Sequence, residues 1–522
     1  MKTTLLNLWS QRGETNIKIT KPLPIGEGVI DESGFSALEI DALFNTVNYA
    51  ETQIGQSVLF RSLVHPLAQL KDIEQKQRAV QELQDNSELK ATLQTIVSYS
   101  AQEEFSLYKL LFGQFLPMFG TAKSELEIEG YGYSEYRRAI RFVREVVESL
   151  DAIAEPESDY LRELLEHIKA FTGSRIYGFM TKAVFLTETT LQTYKEHRKS
   201  WWKPAIVFYP RLFKPLFFTG LVLTLGLLLY FLPSFVAQAI LVSPLLLLYY
   251  PIVGGFDRDN FIMPLREIFK NSSELGSMLE ALGKLDELLS IVKFAENFPH
   301  PTVMPSLLES EHHRIVLNHA VNPILGKENP TYVGNDLSLD YDKMWLITGP
   351  NSGGKTAFCK TVAQIQLLAQ IGSVVPAHVA MISIADRIFY QTPEISRLND
   401  GEGRFGAELK RTKDIFLACS AKSLVILDEL SEGTTFEEKL ESSLNILNGF
   451  YRKGNSTLLI THNHQLVDIL VKQHLGIPKQ VEFLNDQPTH QIIDGISRVS
   501  HADRVAKKIG FSKEDIENYL SS

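Results

Sequence analysis

Cysteine is nearly absent: Cys359 and Cys419 are the two in 522 residues. Two thiols can neither frame a disulfide scaffold nor complete a zinc site, which fits a reducing compartment. Basic residues are outnumbered, with 52 Lys and Arg against 62 Asp and Glu, and the formal net charge is −10. That balance argues against a generally basic nucleic-acid binder, although a local basic face stays open. Met1–Ser10 lacks a long apolar core, so no cleaved secretory signal is expected. No internal repeat and no low-complexity tract stands out. The length is enough to bury several cores, which predicts two or three domains.

A further absence is local. From Pro215 to Phe256 there are 42 residues without one Asp, Glu, Lys or Arg. Leu221–Leu232 and Ala237–Tyr250 are almost wholly apolar, with Pro233-Ser234 between them. A spanning helix needs roughly 20 apolar residues, so the run predicts a transmembrane helical hairpin of two short spans, 215–232 and 234–252. Lys195, Arg198, Lys199, Lys203, Arg211 and Lys214 precede it, and positive flanks stay cytoplasmic. The expectation is therefore a membrane protein with the lipid bilayer as a partner and everything outside the hairpin in the cytoplasm.

What the sequence does contain is a nucleotide site. Gly349-Pro350-Asn351-Ser352-Gly353-Gly354-Lys355-Thr356 fits the phosphate-binding loop G-x-x-x-x-G-K-[S/T]. Met344–Thr348 reads as a buried strand entering the loop, and Ala357–Ile371 as a helix leaving it. Glycines let backbone N–H groups turn onto phosphate oxygens, and the helix N-terminus adds its positive dipole end. Lys355 would reach the β- and γ-phosphates of ATP, and Thr356 would hold Mg²⁺. Leu424–Glu429 reads as a second buried strand, ending in two carboxylates. Asp428 suits the metal shell and Glu429 suits polarising the attacking water. A third strand, Ser456–Thr461, delivers His462 to the same edge, where it could sense the γ-phosphate. Together these predict a Mg²⁺-dependent ATPase.

Along the chain, residues 1–34 read as an irregular lead-in holding Pro22, Pro24, Gly26 and Gly28. Residues 35–212 carry apolar positions at helical spacing, for example Leu38, Leu43 and Val47, and predict a helical core. The hairpin occupies 213–256, and returning helices occupy 257–305, with Leu279, Leu282, Leu285 and Leu289 in register. Pro299, Pro301 and Pro305 mark a boundary. Beyond it, in 306–522, strands alternate with helices, which predicts an α/β domain around a largely parallel sheet.

The C-terminal half resembles the ATPase domain of MutS proteins. Tyr332-Val333-Gly334-Asn335-Asp336, the loop 347–356, Leu368–Ala377, Asp386-Arg387-Ile388-Phe389, Leu427-Asp428-Glu429-Leu430 and Thr461-His462-Asn463-His464 carry the resemblance, in that order. Gln53-Ile54-Gly55-Gln56 through Pro66, Ile73–Val80 and Leu282–Ala295 are similar to the family's helical core and returning lever. The resemblance implies a P-loop NTPase of the ABC/MutS type preceded by an all-α core and lever. It implies a homodimer with ATP between subunits, and Tyr332 stacked on adenine. It also implies DNA binding and mismatch repair. There are departures. The core begins near residue 35, leaving no room for the mismatch-reading and connector domains. Gly403 stands where the family's signature segment has Ser, with Arg404 beside it. Ser431-Glu432-Gly433-Thr434-Thr435-Phe436 stands in place of G-R-G-T-S-T. The expected function is a membrane-anchored MutS-like ATPase that binds and hydrolyses ATP at a dimer interface, with DNA as a candidate partner. The alternative is an ATP-driven membrane scaffold or mechanochemical protein with no DNA role.

Overall fold

Met344-Trp345-Leu346-Ile347, Leu424-Val425-Ile426-Leu427 and Thr457-Leu458-Leu459-Ile460 are runs with apolar residues on both alternate positions. A strand of that kind must be covered on two faces, which favours a parallel sheet between helical layers. The computed structural model has that architecture. It describes residues 21–117, 120–230, 249–350, 353–392, 403–430, 436–485, 487–497 and 509–521. The chain divides into two compact units. One holds the described residues of Ala50–Val58 and Glu82–Leu289, the other those of Thr20–Tyr49, Leu59–Gln81 and Ser290–Ser522.

The second unit is built on a six-stranded sheet. Its order is Ile388–Gln391, Leu424–Asp428, Ser456–Ile460, Met344–Thr348, Ile477–Leu484 and Gln487–Asp494. Every neighbouring pair is parallel except the last, a hairpin. Alternate residues feed two cores. Trp345, Ile347, Ile426, Leu458 and Ile460 face one side with Phe358 and Val362 of the helix Lys355–Gln370. Met344, Leu346, Val425, Leu427 and Leu459 face the other. There they meet Ile415, Leu447, Phe450, Leu466 and Val467 from the helices Gly403–Ala418, Phe436–Lys453 and His464–Lys472. A four-stranded sheet, in the order Ser306–Leu308, Val379–Ser383, Ile315–Ala320 and Asn335–Leu339, adds to the first core.

The first unit is mostly helical, with long helices at Ser87–Phe112 and Tyr133–Ser149. It departs from an all-α core: Val184–Thr187, Thr190–Gln192 and Ile206–Phe208 form a small antiparallel sheet. A π-helical turn, Arg258–Ile262, leads into the helix Met263–Lys270. The helix Ser273–Asn297 follows it, with its residues up to Leu289 in this unit.

The membrane expectation is overturned. Of the first predicted span, 215–232, the described part Pro215–Tyr230 is helical, and 231–232 lie outside the described residues. Most of the second predicted span falls on 231–248, outside the described residues. Among the described residues no helix is long and apolar enough to cross a membrane. Among the described residues the fold is mixed α/β and shows no transmembrane hairpin, so the bilayer partner and membrane localisation are withdrawn. The basic flank has intramolecular work instead. Lys195, Arg198 and Lys199 lie on the helix Tyr194–Lys199, opened by a Thr193–Glu196 capping box and favoured by cations in its last turn. Arg211 sits over the Tyr209 ring. Lys214 pairs with buried Asp257 at 2.6 Å, which also accepts from the Tyr133 hydroxyl at 2.7 Å. The Lys214 N–H donates to the Tyr249 hydroxyl, so both ends of the charge-free run are clasped within one unit.

Gln53-Ile54-Gly55-Gln56 also acquires a physical reason. Buried Asp286 accepts from the N–H groups of Glu51 and Thr52 and from the Thr52 hydroxyl, at 2.6–3.1 Å. Burial nonetheless pushes its carboxyl up to about 6, against those hydrogen bonds. Gly55 makes the close approach: a Cβ there would stand 2.2 Å from the carboxylate. Gly55→Ala is expected to lower stability by about 1–3 kcal/mol in urea unfolding, by displacing that carboxylate. An unchanged midpoint would contradict this role for Gly55.

Candidate functional site

Parallel strands that enter one sheet in the same direction end on the same edge, and here three of them bring the motif residues together. Met344–Thr348 ends at Gly349, whose φ of +134° is open to glycine and strained for other residues. The Gly353 N–H donates to the Pro350 carbonyl at 3.0 Å, and Gly354, with φ +91°, stands at the N-terminus of Lys355–Gln370. The loop is closed from the side by the hairpin strand Ile477–Leu484. A Cβ on Gly353 would lie 2.9 Å from a Val481 methyl. Asn351 and Ser352 lie outside the described residues.

Lys355 is 1% exposed. Its Nζ donates to the Gly349 carbonyl at 2.7 Å, folding the side chain back over the loop. Burial holds its ammonium pKa down, and the charges of Asp428 and Glu429 act against that. The Thr356 hydroxyl donates to Asp428 Oδ2 at 3.1 Å. Burial raises the Asp428 carboxyl, with Thr356 and Lys355 opposing it, and the Tyr390 hydroxyl reaches the same oxygen at 3.5 Å. Thr356 and Asp428 therefore present two adjacent oxygens beside a buried cation. Among the described residues no group of three or more His, Cys, Asp and Glu could hold a metal. Two oxygens suit Mg²⁺, which keeps waters and takes substrate phosphates rather than a full protein cage.

Glu429 is the next residue and leaves the strand in the left-handed region, with φ +62°. Its N–H donates to the Ile460 carbonyl at 2.9 Å, which ties it to the neighbouring strand end. A non-glycine residue held in that region is strained, and such strain concentrates at functional sites. Its carboxylate lies 3.2 Å from His462 Nε2. Thr461 before it donates to the Ile347 carbonyl, so the strand ends at 347, 428 and 460 are tied edge to edge.

Tyr332 lies apart from this carboxylate pair. It packs half-buried against the core beneath the loop helix, and its hydroxyl bonds to Thr361. Sequence reasoning passed over His490. The hairpin strand Gln487–Asp494 carries it to the loop, where its Nδ1 lies 3.4 Å from the Gly353 carbonyl. Asn335 fixes that strand: it donates to the His490 carbonyl at 3.0 Å and accepts from the Ile492 N–H at 2.7 Å. The quoted run Tyr332–Asp336 held half of that signal; its partner strand has no motif of its own. The segments 393–402 and 431–435 lie outside the described residues, and of Gly403 the structure gives the start of a helix.

The contact between loop and hairpin is testable by a double-mutant cycle. Gly353→Ala should cost about 1–3 kcal/mol through its clash with Val481. Adding Val481→Ala should recover part of it, with a coupling energy of at least about 0.5 kcal/mol in denaturant unfolding. Strict additivity would contradict the contact.

Residues 345–519 match the family model of MutS domain V. A DNA mismatch repair protein MutS from Prochlorococcus marinus (strain AS9601) is 32% identical over 265 residues, covering 49% of this chain and 29% of that relative. The human DNA mismatch repair protein Msh3 is 32% identical over 270 residues, 47% of this chain and 23% of its own length. A MutS from Thermotoga sp. (strain RQ2) is 25% identical over 518 residues, 90% of this chain and 61% of the relative. The chain thus spans under a third of the first two relatives and about three-fifths of the third. The chain is thus similar to MutS domain V over residues 345–519 and to MutS-named relatives over about half of its own length or more.

Proposed function

We propose that the protein is an ATPase that binds and hydrolyses ATP with Mg²⁺ at the edge formed by residues 349–356, 428–429 and 462, and that a second copy of the chain completes the site. The observation that carries this reading is the convergence of Lys355, Thr356, Asp428 and Glu429. All four come from strand ends or the loop beside them, and the hydroxyl–carboxylate and Glu–His contacts are already formed.

Lys355 would exchange its Gly349 carbonyl for phosphate oxygens, moving a buried ammonium onto the charge that develops in the reaction. Backbone N–H groups of the loop and the helix N-terminus bind the same phosphates. Bound Mg²⁺ would neutralise charge on the β- and γ-oxygens, with Thr356 and Asp428 as its protein ligands. Glu429 would accept a hydrogen bond from the attacking water and hold it in line, and its contact with His462 fixes the carboxylate. Pro350, Gly353 and Gly354 shape the loop, and Asn351 and Ser352 belong to its motif in sequence. Tyr332 serves the adenine side, a role carried by the family resemblance alone. DNA is the proposed macromolecular partner, because the relatives are DNA mismatch repair proteins.

Glu429→Gln should retain ATP binding while turnover falls about 10²–10⁴-fold, since the carboxylate that orients water is lost and the metal ligands stay. The same variant should shift towards dimer when ATP is added, in light scattering. Lys355→Ala should instead weaken nucleotide binding. Near-normal turnover by Glu429→Gln would remove that residue from its role, and an ATP-bound variant unmoved in size would remove the second copy.

A further inference from the structure

The first unit contains a cavity that the nucleotide site does not use. It has a volume of about 360 Å³ and lies between the helix Tyr133–Ser149 and the end of the small sheet around Val184 and Phe208. The helix presents Arg137, Arg141 and Arg144 to it, at i, i+4 and i+7, one above the other on a single face. Lys182 adds a fourth cation from across the opening. Among the described residues the lining contains no Asp or Glu. Neither Arg137 nor Arg141 has an ion pair among them; the Arg137 Nε–H donates to the Tyr133 carbonyl at 3.3 Å. Arg144 is held by Glu148 at 3.3 Å, an exposed pair that an anion could outcompete. Lys182 rests over the Tyr194 ring.

Four cations around one concavity repel each other, and in an overall acidic chain that arrangement calls for an anion. Guanidinium groups match phosphate oxygens bidentately. The other walls are aromatic. Tyr136 and Phe208 pack edge to face at 5.5 Å, forming a rigid floor, and Tyr209 is 49% exposed at the mouth with Arg211 over its ring. The volume sits at the small end of ligand clefts, roughly 300–1,000 Å³. That leaves room for one phosphorylated nucleoside or sugar rather than a polymer.

The geometry points to a second ligand site, in which Arg137, Arg141, Arg144 and Lys182 hold the phosphate of a small molecule of mononucleotide size and the aromatic walls take its ring. It is separate from the ATP site in residues and in structural unit, so it stands whether or not the ATPase reading does.

The test is equilibrium dialysis of the full-length chain against labelled GMP, with inorganic phosphate and a single-stranded oligonucleotide as parallel probes. Any binding at the P-loop is common to all variants, so the readout is the difference between them. GMP should bind saturably and more tightly than inorganic phosphate. Arg141→Glu should weaken the GMP difference signal by at least about tenfold, as expected for lost charge-assisted hydrogen bonds. Lys182→Ala should weaken it less. Arg138→Glu, on the same helix but outside the cavity, should leave it unchanged. Arg141→Gln, with an unchanged circular dichroism melt, guards against misfolding. Equal losses from Arg138→Glu and Arg141→Glu would reduce the site to diffuse charge and overturn the proposal. So would GMP binding indifferent to Arg141, no GMP binding at millimolar concentration, or an Arg141-dependent signal from the oligonucleotide alone.

Discussion

The structure depends on one constraint: three fully buried parallel strands must end on the same edge. Their residues alternate between two apolar cores, so none can slip by one position without exchanging its faces. That fixed register places the residues after Ile347, Leu427 and Ile460 side by side. The phosphate loop, the carboxylate pair and His462 are thus consequences of hydrophobic pairing in the sheet beneath them.

The same packing sets the electrostatics. Lys355 and Asp428 are taken out of water by the helix and strands that carry them, and burial disfavours both charges. Their mutual attraction and the Thr356 hydrogen bond oppose that effect. Such a site is poised for a phosphate-bearing anion and a cation, which supply the missing counter-charges. The left-handed turn at Glu429 ends the strand where its carboxylate can leave the sheet and meet His462.

Much of this was legible in the sequence. Met344–Thr348 was readable to the residue and Leu424–Asp428 to within one, because strands buried on both faces are unbroken apolar runs between glycine or charge. Loop, Asp428 and Glu429 followed from spacing. The uncharged run 215–256 misled, since its composition reports only the absence of charge. Nothing in it records that Lys214 would be claimed by Asp257. The hairpin that brings Val481 and His490 to the loop was also hidden. Its positions are half-buried and mixed in polarity, so periodicity gives little signal, and the contact with Gly353 is set by tertiary pairing. Arg387, quoted as part of a motif, proves to bond the Gly26 carbonyl through two nitrogens, a structural use of a conspicuous residue.

The central claim is that Thr356 and Asp428 form the metal-binding half of a working ATP site. Single-turnover hydrolysis by the intact protein, titrated with Mg²⁺, tests it most directly. For the native chain, hydrolysis should depend on Mg²⁺ and saturate. Asp428→Asn should need much higher Mg²⁺, about tenfold or more, and turn over slowly even when saturated. A Mg²⁺ dependence identical in the two proteins would contradict the account.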